Sequence, residues 1–153
     1  MVRELNQRFP RCARLGCPAD FARVFEFRRS AANGLLVLYA CPSLNASVHT
    51  DKSSVRLGIS VSRRIGNAVV RNRWKRRLRE AFRSVHSRFP PGNDLIIVVR
   101  SANVPAGAAG ARAVEEMIVA LANRVVDRPS YATAAASAAV AASPPTLRPK
   151  RRR

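Results

Sequence analysis

The segment RLGISVSRRIGNAVVRNRWKRRLREAFR, Arg56 to Arg83, constrains this chain more than any other. Val55, Leu57, Ile59 and Val61 fall on one side of its first part, and Arg56, Gly58, Ser60 and Ser62 on the other. This period of two over 55–62 predicts a strand with one face buried. "RRIG" follows as a crossover, and Asn67 suits the N-cap of a helix running to about Val85. Val70, Trp74, Leu78, Ala81, Phe82 and Val85 then recur at helical spacing and make one apolar stripe. Arg71, Arg73, Lys75, Arg76, Arg77 and Arg79 fill most of the remaining circumference. A helix built this way is anchored through Trp74 and Leu78 and holds a rigid cationic surface outward.

Such a surface works against itself. Arg71–Lys75, Arg73–Arg77, Lys75–Arg79 and Arg79–Arg83 are like-charge pairs at i, i+4, each costing a few tenths of a kcal/mol in an isolated helix. Only Glu80, near Arg76 and Arg77, offers local relief. Phosphates that neutralise the strain account for it; a merely solvated face is the alternative. The whole chain leans the same way, with 28 basic and 9 acidic residues and a formal charge of +19. That charge opposes compaction unless a polyanion accompanies the fold. Nucleic acid is the first partner to expect and an anionic membrane surface the second. Arg outnumbers Lys by 25 to 3; its planar fork suits phosphate, although a genome's base composition can produce the same bias. Arg63, Arg64, Gly66 and Asn67 sit at the helix N-terminus, where unpaired backbone N–H groups bind phosphate. Arg56 and Ser60, on the outward side of the strand, are basic or small. Nothing in this pattern selects RNA over DNA.

The chain's 153 residues suggest one domain, with 47% hydrophobic residues to fill its core. Residues 1–16 form a basic, extended or loosely docked N-terminal segment. Pro18 opens a helix, Asp20 suits its first turn, and Phe21, Val24 and Phe25 line one face; it ends near Arg28–Ser30, before Asn33-Gly34. "LLVLYA" (35–40) reads as a strand stopped by Pro42, and 43–54 as a polar loop. "FPPGND" (89–94) is a turn, and "LIIVVR" (95–100) a central strand buried on both sides. Val104–Gly110 reads as a loop. From about Arg112, Val114, Met117, Ile118, Leu121 and Val125 mark a helix ending before Pro129. The order helix, strand, strand, helix, strand, helix over 17–129 predicts one sheet with helices packed against it. Residues 130–153 are a low-complexity Ala/Pro tail with a basic end, expected to be mostly disordered.

Several classes of function fit poorly. Cys12, Cys17 and Cys41 are odd in number and lack zinc-site spacing, so free thiols in a reducing cytoplasm are expected. No apolar run approaches the ~18 residues of a membrane span, and the N-terminus lacks the apolar region of a secretory signal. A self-contained metal nuclease needs clustered carboxylates. Here the acids are scattered, with Glu115-Glu116 the only adjacent pair, and nothing brings His49 to His86. No catalytic residue is named and metal sites on the protein stay open.

"SRRIGNAVVRNRWKRRLREAFR" resembles the signature of the bacterial ribonuclease P protein subunit, with Arg71-Asn72-Arg73 at its "RNR" core. Arg14-Leu15, Asp20-Phe21, Val24-Phe25, "LLVLY" and "RLGISVS" follow in the family's order, so the resemblance covers about residues 8–128. It implies an α/β (α+β) sandwich like the second domain of ribosomal protein S5, with a mixed sheet and a left-handed strand–helix–strand crossover over 55–100. It also implies a bacterial, cytoplasmic ribonucleoprotein that removes the 5′ leader of precursor tRNA. In that family the RNA subunit is the catalyst, through Mg²⁺ bound chiefly by that RNA and the substrate. The protein binds this RNA and grips the leader, with no membrane and no obligate protein partner. By position, Arg63, Arg64, Asn67, Arg71, Asn72, Arg73, Arg76 and Arg77 face the catalytic RNA. Phe21, Phe25 and Tyr39 line a cleft for the single-stranded leader, although periodicity alone favours two phenylalanines that simply fill the core.

The 130–153 extension has no counterpart in the family pattern; its "KRRR" end suits non-specific RNA affinity. The 41–54 loop matches poorly, with Lys52 the one candidate phosphate contact there. Two other readings share the basic helix: a structural rRNA-binding or ribosome-assembly protein of the same fold, and a DNA-compacting protein.

Overall fold

The computed structural model describes residues 11–44 and 55–141. Pro18–Glu26 forms α1, Ser30–Ala32 β1, Leu36–Pro42 β2, Arg56–Ser60 β3, Ala68–Ser84 α2, Asn93–Val99 β4, Gly107–Val126 α3 and Pro129–Ala141 α4. The four strands make one mixed sheet in the order β1-β2-β4-β3. β1 and β4 both run antiparallel to β2, whereas β3 and β4 are parallel neighbours joined through α2.

The pleat of the sheet sorts its side chains into two cores. Leu36, Leu38 and Ala40 of β2, Leu57 of β3, and Leu95, Ile97 and Val99 of β4 meet Trp74, Leu78 and Phe82 of α2 and Val114, Ile118 and Leu121 of α3. On the other face Leu15, Val24, Cys41 and Ile96 form a smaller cluster beneath α1. β4 is therefore buried on both faces, which is why its sequence is a continuous apolar run. α2 keeps the predicted stripe, with Trp74, Leu78, Ala81 and Phe82 buried. The Trp74 indole Nε1 donates to the Ser101 carbonyl at 2.8 Å, so the polar atom of this buried ring is satisfied.

Three elements differ from the sequence reading. β1 was not expected; the Asn33 side chain accepts from the N–H groups of Leu35 and Leu36 and folds β1 back on β2. A three-residue edge strand, Ser-Ala-Ala, carries too short a pattern to announce itself. α3 begins at Gly107 rather than near Arg112, because the Ala-rich start of the segment is helical. Gly110 makes that possible: a Cβ there would sit 2.5 Å from the Pro105 carbonyl carbon, so only glycine lets the loop close on the first turn.

The third correction concerns the tail. Residues from 130 were expected to be mostly disordered, but Pro129–Ala141 is a helix. One large residue docks it. Tyr131 is buried, packs edge-on to Phe27 at 5.5 Å and donates its hydroxyl proton to the Asn93 side-chain oxygen. Asn93 in turn donates to the Pro90 and Pro91 carbonyls. Burial of the phenol raises its pKa well above the usual tyrosine value. Residues 1–10 and 142–153, including "KRRR", lie outside the described residues, as does Lys52.

Tyr131→Phe should cost about 1–3 kcal/mol, because it leaves the buried Asn93 oxygen without its donor. Tyr131→Ala should cost about 3–5 kcal/mol, by removing the ring as well. Urea denaturation of the full chain measures both; wild-type midpoints would mean that α4 contributes nothing to the fold.

Candidate nucleic-acid interface

The outer face of α2 carries charge held by a buried seam. Asn72, Arg73, Arg76 and Arg79 are exposed, and Arg71, Lys75 and Arg77 are half-buried around Trp74 and Leu78. Asn67 is exposed, and its side-chain oxygen accepts from the Val70 N–H at 3.0 Å, so it caps the helix as expected. Arg63 and Arg64 stand exposed in a short 3-10 turn, Arg63–Ile65, capped by the Ser62 hydroxyl. Among the described residues neither Arg76 nor Arg77 reaches Glu80 within ion-pair distance, so the local relief read from the sequence is not used. Arg73, Arg76, Arg77 and Glu80 form one wall of a cleft of about 370 Å³, and Val104–Gly107 forms the other.

The aromatic residues lie on the opposite face of the sheet. Val24 is fully buried and anchors α1, whereas Phe25 is 37% exposed and Phe21 and Tyr39 are half-buried. The Phe25 ring stands edge-on to Tyr39 at 4.9 Å and lies 6.3 Å from Phe21. Phe21 rests on Gly58, where a Cβ would come within 2.7 Å of the ring. Tyr39, Ile96 and Gly58 form one cross-strand row beneath these rings. The next row, Val37, Val98 and Ser60, is only half-buried and extends the aromatic surface along the sheet. The three aromatics are thus brought together, and the basic residues are brought together, on two separate surfaces. Two residues separate Ser60, where β3 leaves the sheet, from Arg63 and Arg64.

The aromatic face also carries, beneath α1, a charge cluster that sequence reasoning missed. Asp94, at the start of β4, is completely buried. It accepts two hydrogen bonds from Arg56 of β3, at 2.8 and 2.6 Å, and one from Arg23 of α1. Arg56 also bonds Asp20 of α1 at 3.2 Å, and Arg23 donates to the Pro42 carbonyl at 2.7 Å. The alternation places Arg56 on the outward side of the strand beside the basic crossover; its guanidinium is engaged by these two carboxylates rather than free. Hydrogen bonding to Asp94 raises its pKa further. The alternation marked Arg56 as facing away from the main core, but its partner lies 38 residues away and no local spacing points to it.

This donor set does not fit Mg²⁺. Asp20 and Asp94, the acids that do come together, are both bound by arginines. Among the described residues no group of three or more His, Cys, Asp or Glu side chains is placed to hold an ion. No helix among them is long and apolar enough to cross a membrane.

Burial pushes the Cys41 thiol up in pKa, against the lowering effect of Arg23 beside it. Cys12 and Cys17 are exposed. Iodoacetamide at mildly alkaline pH should therefore modify Cys12 and Cys17 first and Cys41 only on unfolding, as read by mass spectrometry. Equal rates at all three would contradict the packing beneath α1.

A family model described as Ribonuclease P matches residues 9–125. The ribonuclease P protein component of Herpetosiphon aurantiacus is 43% identical over 91 residues, covering 60% of this chain and 68% of that protein. That of Brevibacillus brevis is 44% identical over 90 residues, 59% and 67% respectively. Among solved structures, the RNase P protein from Thermotoga maritima superposes with a TM-score of 0.58 at 27% identity, covering 72% of this chain and 96% of that one. The Staphylococcus aureus RNase P protein gives 0.55 at 30% identity, covering 75% and 93%.

Proposed function

The chain belongs to the ribonuclease P protein family, and we propose that it works as the RNA-binding, non-catalytic protein of that endoribonuclease in tRNA 5′ maturation. The cationic face of α2 docks on the catalytic RNA through Arg63, Arg64, Asn67, Arg71, Asn72, Arg73, Arg76 and Arg77. The surface of Phe21, Phe25 and Tyr39 receives the unpaired 5′ leader of precursor tRNA. One observation carries this reading: a cationic face and a partly exposed aromatic cluster lie on opposite faces of one thin sheet. A protein that grips two nucleic acids at once needs two such surfaces. Phosphate contacts supply affinity and position, while stacking holds unpaired bases with little sequence demand.

The chemistry stays with the RNA. Mg²⁺ would be held chiefly by the RNA subunit and the substrate, with the protein's residues binding and orienting the RNA. The hand of the β3–α2–β4 crossover, left-handed against the usual rule, belongs to the same reading, as do the kinship with the second domain of ribosomal protein S5 and the bacterial cytoplasmic location.

Adding the purified protein to its cognate catalytic RNA should raise precursor-tRNA cleavage at low Mg²⁺; no stimulation would overturn the proposal. Arg71→Gln with Arg73→Gln should weaken binding to the catalytic RNA and lower its salt slope by about 1 per lost phosphate contact. Phe21→Ala with Phe25→Ala should cost about 1–3 kcal/mol per stacked base in precursor affinity, and leave affinity for the catalytic RNA in place. Equal losses on both RNAs would favour a structural RNA-binding protein instead.

A further inference from the structure

We propose that Asp94 is a positioning residue for the leader surface, and that the buried charge cluster around it sets where α1 holds its aromatic rings. The inference rests on the leader-binding reading of Phe21, Phe25 and Tyr39 and adds residues to it that touch no RNA.

The geometry is that of a lever. Successive residues of an α-helix turn by about 100°. Val24 is fully buried on the line of contact with the sheet. Asp20 and Arg23 then fall on one flank of α1, and Phe21 and Phe25 on the other. The charged flank is tied down at several points. Arg23 reaches Asp94 of β4 and the Pro42 carbonyl at the end of β2. Asp20 reaches Arg56 of β3, which itself grips Asp94 with two hydrogen bonds. Three strands thus hold one flank of a nine-residue helix. On the other flank Phe25 meets Tyr39 edge-on and Phe21 rests on Gly58, with no polar tie among the described residues. Whatever fixes the first flank fixes how far the aromatic flank stands above the sheet.

Charge explains why the device is centred on Asp94. Two guanidinium groups and two carboxylates balance, and Asp94 is the only acid of the four side chains with no exposure. Removing its charge leaves Arg23 and Arg56 partly buried with Asp20 as their sole acidic partner, an arrangement that drives charged groups toward water. Arg23 lies on α1, so its escape carries the helix with it. α2 packs on the opposite face of the sheet, so the catalytic-RNA surface does not feel this shift directly.

The test uses holoenzyme assembled from the full chain and its cognate catalytic RNA. Two ratios are read: affinity for precursor tRNA with a leader against the same tRNA without one, and variant against wild-type affinity for the catalytic RNA. Asp94→Asn should lower the leader-dependent ratio by about tenfold, the worth of one well-placed stacked base, and leave catalytic-RNA affinity within about twofold. Asp20→Asn keeps the Arg56–Asp94 pair and removes one tie, so it should fold if Asp94→Asn does not, and should lower the ratio by a smaller factor. Faster amide hydrogen exchange confined to α1 should accompany both. An unchanged leader ratio in a folded variant overturns the proposal. So does a parallel fall in both affinities, which would mean general loss of structure. A wild-type holoenzyme indifferent to the leader would instead defeat the leader-binding reading itself. Leader discrimination lost in Phe25→Ala but kept in Asp94→Asn would defeat the lever alone.

Discussion

Burial of β4 on both faces is the constraint from which the rest of the structure follows. A strand in that position cannot shed its inward side chains to solvent on either side, so each face of the sheet must be covered. One face has two long helices, α2 and α3, and the large core of Trp74, Leu78, Phe82, Ile97 and Ile118. Among the described residues the other is covered by α1, nine residues long, and by Leu15 just before it, too little to cover a four-stranded sheet. Its partial cover leaves Val37, Val98 and Ser60 half-buried beside Phe25. The exposed aromatic surface is thus a consequence of how unequally the two faces are roofed.

The same inequality governs how each face treats charge. Beneath the short helix there is little fully buried apolar material to hold α1, whose Val24 meets Leu15, Cys41 and Ile96. A buried carboxylate with two guanidinium partners completes the contact. Such a cluster adds modest net stability against its desolvation cost, yet it is directional in a way that apolar packing is not. On the side of the long helices the apolar seam is ample, and Arg73, Arg76 and Arg79 stand exposed on the outer face of α2.

Much of this was legible locally. The alternation through β3, the Asn67 cap and the Trp74–Leu78–Phe82 stripe are patterns within one element, and each stands where periodicity puts it. The Phe21–Val24–Phe25 face was also correctly spaced, but periodicity cannot say how far a neighbour covers it. The structure buries Val24 and leaves Phe25 open. What stayed hidden depends on partners distant in the chain. Tyr131 docks α4 through Asn93, 38 residues earlier, in a segment whose alanines gave no apolar face to read. Alternation shows Arg56 on the outward side of β3, but not Asp94, its partner 38 residues on. β1 was too short to carry a pattern, and only the Asn33 turn betrays it.

The placement of the arginines bears on their abundance. A chain rich in Arg through base composition alone would scatter it without regard to environment. Here Arg23 and Arg56 are matched to carboxylates and a backbone carbonyl within 3.2 Å, inside the fold. Arg73, Arg76 and Arg77 stand along one wall of a cleft whose single acid they do not pair with. Two opposite uses of one side chain are sorted by the two faces of the sheet: one set of charges holds the fold together and the other stands along an open wall.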